Sequence, residues 1–389
     1  MIDVLVAGGG PAGLAAGIHA ARAGLRAVVV EPRTGPVDKA CGEGVMPSGV
    51  AALRALGVEA PGRQLRGIRY LDGRHRVAEA SFATGCGLGV RRTVLHAALA
   101  RAAAEAGVET VAGRVGEVRQ GEGWVAAAGL RARWLIAADG LHSPIRRALG
   151  LEAPGARRAG AGPTGARLMG GDLTDVWRAG LEAPVWRAGL EAPSAGPHPR
   201  SGARRSTPRR YGLRRHYRVE PWTDHVEVHW SPHGEAYVTP VDGDLVGVAV
   251  LSRARRSYAD HLADFPRLAP LLGAHPATPV LGAGPMRQRV RARVAGRVLL
   301  VGDAAGYVDA LTGEGIALAL ASAEAAVGCA VRGRPREYEA QWRRLSRGHR
   351  ALTGALLSLA CGPPGVRGLI VPTASALPRV FAAAVRALE

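Results

Sequence analysis

Gly8-Gly9-Gly10-Pro11-Ala12-Gly13 forms a glycine loop with the spacing that receives a pyrophosphate. Gly8 permits a tight turn, Gly10 lets phosphates approach the backbone, and Gly13 lets a helix pack close to a strand. Pro11 and Ala12 open a helix whose free N–H groups and positive dipole end favour anions. Glu31 follows 18 residues after Gly13, where a carboxylate accepts hydrogen bonds from a ribose and repels a 2′-phosphate. This chemistry suits FAD or NAD rather than NADP. Asp139-Gly140 and Gly302-Asp303 add an acid beside a glycine at two further points, and Cys41 and Glu43 bring a thiol and a carboxylate into a glycine-rich loop.

The elements around these residues fit that chemistry. An apolar run, Ile2 to Ala7, precedes the first loop; an alanine-rich helix follows it; a second apolar run, Arg26 to Val30, ends at Glu31. Arg133–Ala137 and Arg297–Val301 read as buried strands leading into the two later acid-and-glycine sites, so all three sites can share the carboxyl edge of one sheet. Helices are predicted over Gly49–Leu56, Arg91–Ala106 and Tyr258–Leu272, and strands over Leu65–Leu71 and Arg76–Phe82. From Gly315 the chain reads as mainly helical, with a break at Gly362-Pro363-Pro364. Four strand-like runs, Gly212–Val219, Asp224–Trp230, Glu235–Val241 and Asp244–Leu251, predict an antiparallel meander. Alternation puts His225, Glu227 and His229 on one face of the second run and Val226, Val228 and Trp230 on the other. No carboxylate or cysteine set completes a metal site with the histidines, so no metal is expected. His216, Tyr217, Trp230 and Tyr237 are candidate pocket lining. Gly85-Cys86-Gly87-Leu88-Gly89 lacks the third glycine of a nucleotide loop.

The 389 residues carry a net charge of +19. That charge alone would suggest nucleic acid, but no groove-reading motif accompanies it, and Lys39 is the sole lysine in an arginine-, alanine- and glycine-rich composition. No nucleic-acid partner is expected, whereas peripheral contact with an acidic membrane surface is consistent with the charge. Four scattered cysteines, no leader-like segment at the start and no apolar run of about 18 residues predict a cytoplasmic protein without a spanning helix. The segment 151–210 stands apart. VWRAGLEAP at Val176–Pro184 repeats unchanged at Val185–Pro193, and Gly155–Arg210 holds ten arginines against four acids, so it reads as an Arg/Pro/Gly-rich low-complexity insertion.

Taken together, these motifs resemble the flavoprotein superfamily of the aromatic hydroxylases, geranylgeranyl reductases and flavin-dependent halogenases. The resemblance covers nearly the whole chain apart from the insertion. It implies FAD as cofactor, with Gly8, Gly10 and Gly13 at the pyrophosphate and Glu31 at the ribose. The superfamily's D-G-x-x-S-x-x-R motif matches Asp139, Gly140, Ser143 and Arg146. Its G-D motif matches Gly302 and Asp303, which implies a contact with the ribityl hydroxyls. Gly313 and Gly315 then start a helix whose N–H groups stabilise negative charge on the flavin ring. Ala310 stands where the family usually has proline, three residues before that first glycine. Arg92 matches an arginine placed near the flavin. Cys41-Gly42-Glu43-Gly44 resembles the geranylgeranyl reductases more than the phenol hydroxylases, which makes Cys41, Glu43 and Arg92 the catalytic candidates.

The implied fold is α/β: a Rossmann-type FAD-binding domain (1–60, 85–150 and 280–330), an inserted antiparallel-sheet substrate domain (61–84 and 211–279), and a helical C-terminus (331–389). The function favoured at this stage is an NAD(P)H-dependent monooxygenase hydroxylating an aromatic or polyketide-like small molecule. A reductase saturating prenyl double bonds is the alternative within the family, and a non-catalytic flavin- or lipid-binding protein the alternative from another class. Substrate identity, nicotinamide preference and oligomeric state do not follow from these motifs.

Overall fold

The chain is known as a computed structural model that describes residues 1–153, 209–274 and 276–389. The nonapeptide repeat and most of the predicted insertion lie outside the described residues.

Ile2–Ala7 is a run of Val, Leu and Ile flanked by polar turns, and it forms the middle of an eight-stranded sheet. Ala27–Glu31 pairs parallel on one side and Leu130–Ala137 parallel on the other, with Val4 opposite both Ala27 and Trp134. Glu109–Ala112 and Val298–Leu300 extend the parallel set outward. Strands this apolar must be covered on both faces. Pro11–Arg22 covers one of them, packed between Gly315–Val331 and Arg92–Glu105. Parallel strands share a direction, so Gly8, Glu31, Ala138 and Val301 emerge at one edge.

A seven-stranded sheet stands over that edge. Its order runs Leu281–Ala283, Tyr211–Arg218, Leu245–Ser252, Gly234–Asp242, His225–Trp230, Gly67–Asp72, Val77–Ser81. Only the last three of the four predicted runs form a meander. Tyr211–Arg218 pairs with the fourth run, from Tyr211 opposite Ser252 to Arg218 opposite Leu245. His225–Trp230 instead joins Gly67–Asp72, and joins it in parallel. The six-residue link after Arg218 is long enough to carry the chain past two strands, so adjacency in sequence did not become pairing. The predicted helix Tyr258–Leu272 is also split, into Tyr258–Leu262 and a 3₁₀ turn at Ala269–Leu272. Pro266 and Pro270 lack the N–H a continuous helix would need. Gly87–Gly89 is a strand in a small three-stranded sheet with Gly44–Val45 and Arg63–Leu65, not a phosphate loop.

The alternation along His225–Trp230 sorts its side chains as the period requires. Val226, Val228 and Trp230 enter a core shared with Ile370, Phe381 and Val385 of the C-terminal helices. Glu227, on the other face, takes hydrogen bonds from Arg69, Trp222 and His229. Among the described residues no cluster of His, Cys, Asp or Glu could hold a metal ion, and no single helix is long and apolar enough to cross a membrane.

Candidate active site

The glycine loop is fixed by close backbone approach. Gly8 sits at φ 102°, and a Cβ there would lie 2.6 Å from the Ala138 carbonyl oxygen. A Cβ on Gly13 would lie 1.8 Å from the Gly8 carbonyl oxygen, so the helix can begin this near the turn only with glycine. Gly10 differs: the nearest atom to its Cβ position is Arg92 Nη2 at 3.9 Å, so its face is open to the cleft. Gly10, Pro11 and Ala12 therefore line the cleft, while Gly8 and Gly13 shape it from behind.

Glu31 braces the same loop rather than lining the cleft. Its Oε2 accepts the Gly9 N–H at 2.7 Å, and its Oε1 accepts Arg33 Nε at 2.7 Å. Burial pushes the Glu31 carboxyl up, but the hydrogen bonds from Arg33 and Gly9 outweigh it and hold the group below the ordinary carboxylate range. His96 Nε2 lies 2.9 Å from the Gly9 carbonyl oxygen on the opposite side.

The second and third acid sites face this loop. Asp139 Oδ2 accepts the Ile145 N–H at 3.1 Å, and its Oδ1 is buried without a partner among the described residues. Ser143 caps the next helix by accepting the Arg146 N–H at 2.9 Å. The Arg146 guanidinium then donates to the carbonyls of Leu141 at 2.9 Å and Ala304 at 3.1 Å, tying the Asp139 turn to the Asp303 turn. Gly302 is held by its N–H on Ser322 Oγ at 3.0 Å, and the Asp303 side chain turns into the cleft. Burial pushes the Asp303 carboxyl above its usual range against the pull of Lys39, Arg92 and Arg146. Gly140, Gly313 and Gly315 complete the walls, and Gly315 begins a 17-residue helix whose N-terminus points here. An orphaned carboxylate oxygen to accept hydroxyls, an open Gly10 face, two helix N-termini and the cations Arg33, Lys39 and Arg92 are the groups a flavin dinucleotide needs.

The Cys41 to Pro47 loop joins the two sheets. Glu43 adopts φ 59° and is buried. Its Oε1 accepts the Arg92 N–H at 2.8 Å, at the start of a helix, and its Oε2 meets His216 Nε2 at 2.5 Å. His216 Nδ1 in turn lies 3.0 Å from Thr278 Oγ1 and 3.0 Å from Arg214 Nη1. Arg214 also holds the Asp38 carboxylate and donates to the Lys39 carbonyl at 3.1 Å, and Thr239 Oγ1 donates to the Gly42 carbonyl at 2.8 Å. Cys41, Glu43 and Arg92 thus come together at the cleft wall. Burial pushes the Cys41 thiol up, so it stays protonated at neutral pH.

Tyr237 lines the cavity and donates its hydroxyl to the Leu311 carbonyl at 3.0 Å. Tyr217 and Trp230 do not line it; they pack in the cores on either side of the second sheet. Lys39 escaped the sequence reading, although being the sole lysine was a signal. It opens onto the cleft, where desolvation by the walls, then Arg33 and Arg92, push its ammonium below the ordinary lysine range. His96 and Arg214 carried no signal, because their partners are defined only by the fold, whereas Arg33, two residues from Glu31, was a local signal.

Beyond the Asp303 side the cleft continues without a wall into an apolar gallery. Leu352, Leu356, Ile370 and Val385 of the C-terminal helices line it together with Val226, and Phe381 packs directly on Tyr70 in its wall, with ring centroids 4.8 Å apart. Cleft and gallery form one cavity of about 960 Å³.

Residues 1–231 match the family model of the FAD binding domain. The chain is 26% identical over 341 residues to digeranylgeranylglycerophospholipid reductase 1 of Methanothermobacter thermautotrophicus, covering 81% of this chain and 73% of that one. It is 55% identical over 56 residues to the menaquinone reductase of Mycolicibacterium smegmatis, a match spanning 14% of each chain. Its fold overlays on the flavin-dependent brominase Bmp2 with a TM-score of 0.71 at 15% identity, covering 100% of this chain and 93% of that one. A match to more than half of its length places this chain in the FAD binding domain family.

Proposed function

We propose that this chain is a flavin-dependent reductase that saturates a double bond in a long isoprenoid chain, carried on a quinone or a glycerol lipid. The observation that carries this reading is the single cavity: a polar cleft fitted to FAD continues into a gallery lined by Leu, Ile, Val and Phe. That lining complements an apolar chain better than a polyketide-like aromatic with its polar groups, so the reductase replaces the monooxygenase as the preferred reading. The two relatives, a menaquinone reductase and a digeranylgeranylglycerophospholipid reductase, are named for substrates of the same class.

In this reading Gly10, Pro11 and Ala12 with the helix behind them take the pyrophosphate, together with Arg33 and Arg92. Asp303 accepts from the ribityl hydroxyls, and Gly313 and Gly315 offer N–H groups to the ring. FAD, when bound here and reduced by NAD(P)H, would supply the hydride that one alkene carbon takes up. The other carbon needs a proton, and the protonated Cys41 thiol on the cleft wall is the candidate donor. Glu43, locked between the Arg92 N–H and His216, holds that loop against the second sheet. The apolar gallery excludes water from the reacting chain.

The test is incubation of the holoprotein with NAD(P)H and a prenylated quinone under strict anaerobiosis. A product that stays two hydrogens heavier after air has returned its headgroup to the quinone supports the proposal. Turnover that requires oxygen, with a gain of one oxygen atom, supports the hydroxylase instead and contradicts it.

A further inference from the structure

The gallery has an open end, and its chemistry is unusual. Leu359, Val366, Leu369, Leu377 and Val380 all line the cavity, yet they are 39% to 62% exposed. They sit around the bend where Gly365–Ala376 and Pro378–Arg386 meet at 98°. Half of the large hydrophobic side chains exposed among the described residues are therefore gathered at one mouth. Scattered singly they would need no explanation, but a contiguous apolar rim around a cavity marks an interaction site.

The helices that form the mouth are rich in cations. From Ala340 to Leu388 the chain has seven arginines and no Asp or Glu. Arg379 and Arg386 lie on the exposed face of the helix Pro378–Arg386, while Phe381 and Val385 of the same helix face the gallery. An apolar rim flanked by cations complements a surface with an oily interior and anionic headgroups.

We propose that this mouth docks on an anionic lipid bilayer, with Leu369, Leu377 and Val380 entering the acyl boundary and Arg379 and Arg386 on headgroup phosphates. The substrate chain then passes from bilayer to flavin along the gallery without crossing water. The idea rests on the gallery being a lipid-chain site, but it is tested without turnover.

The experiment is flotation of the FAD-loaded full-length protein with vesicles of phosphatidylcholine alone or mixed with phosphatidylglycerol. The protein is predicted to bind the mixed vesicles at least about tenfold more tightly. Leu369→Asp with Val380→Asp is predicted to weaken that binding by about tenfold or more while the flavin stays bound. Leu369→Trp is predicted to tighten it, because tryptophan favours the headgroup level. If the aspartate variant fails to fold, Leu369→Trp decides alone, and no tightening overturns the proposal. Unchanged binding by a folded aspartate variant overturns it too, since charge elsewhere on the chain would then suffice. Sedimentation showing a dimer that the aspartate variant dissociates would assign the face to a second copy and also overturn it. Vesicle binding through this face without saturation of any prenyl chain would refute the proposed function alone. Turnover of detergent-dispersed substrate without vesicle binding would refute the docking alone.

Discussion

Gly13→Ala and Gly10→Ala should separate two roles that look alike in sequence. At Gly13 the new methyl would sit 1.8 Å from the Gly8 carbonyl oxygen, and ordinary contact begins near 3.4 Å. The helix start must therefore retreat by roughly 1.6 Å, because the opposing atom is backbone and has no rotamer to change. Alanine gains about 1 kcal/mol of helix propensity over glycine, but overpacking of this kind costs about 1–3 kcal/mol, so a net loss of stability is expected. The same retreat draws the N-terminal N–H groups away from the phosphates. Losing two charge-assisted hydrogen bonds at about 1.5–3 kcal/mol each weakens FAD binding by roughly 10²- to 10⁴-fold. At Gly10 nothing within the fold opposes a methyl, which would enter the cleft itself. The apo-protein should melt as the parent does, and FAD affinity should still fall. Fluorescence titration with FAD and thermal melts of both apo-proteins read the two effects. A Gly13→Ala protein with parental melting and parental FAD affinity would refute the steric argument. A Gly10→Ala protein with parental affinity would refute the placement of the phosphates.

Asp303→Asn should weaken FAD binding about tenfold to a hundredfold by isothermal titration. The apo fold should not be destabilised, since burial already disfavours that ionised carboxyl. Glu43→Gln leaves His216 facing a neutral group in a buried network while Arg214 keeps Asp38, and should cost about 1–3 kcal/mol in chemical denaturation. Glu31 is held below its ordinary pKa of 4.5 in the folded chain. Its contribution to stability is therefore fully present above that value and is lost as pH falls through the folded pKa. The stability gap between parent and Glu31→Gln, followed by melts across pH, should close on the acid side; a gap that widens there would contradict the sign. Cys41→Ser, which keeps a small group but removes the thiol, should slow double-bond saturation while leaving cofactor binding and its spectrum intact.

Much of this arrangement was legible locally. Strand, glycine turn, helix and acid follow one another within 31 residues, so the main sheet and its carboxyl edge could be read from periodicity and turn chemistry. The Ser143 cap and the alternation along His225–Trp230 were likewise short-range signals. What escaped depended on distant pairs. Glu43 read as a loop carboxylate because its anchor, His216, lies 173 residues away. The strand order of the second sheet was misread because Tyr211–Arg218 skips its neighbour for the fourth run. Apolar C-terminal helices were visible, but that they line a cavity shared with the cofactor cleft follows only from their packing on Val77–Ser81.

The central claim is that the cavity brings a prenyl tail, rather than a headgroup, to the flavin. The most direct measurement mixes chemically reduced holoprotein with a prenylated quinone anaerobically for a single turnover, then admits air and weighs the quinone. Air returns any quinol headgroup to quinone, but a saturated tail bond persists. The account predicts a quinone that stays two hydrogens heavier after air. A quinone at its starting mass would show that no tail bond was reduced and would contradict the account.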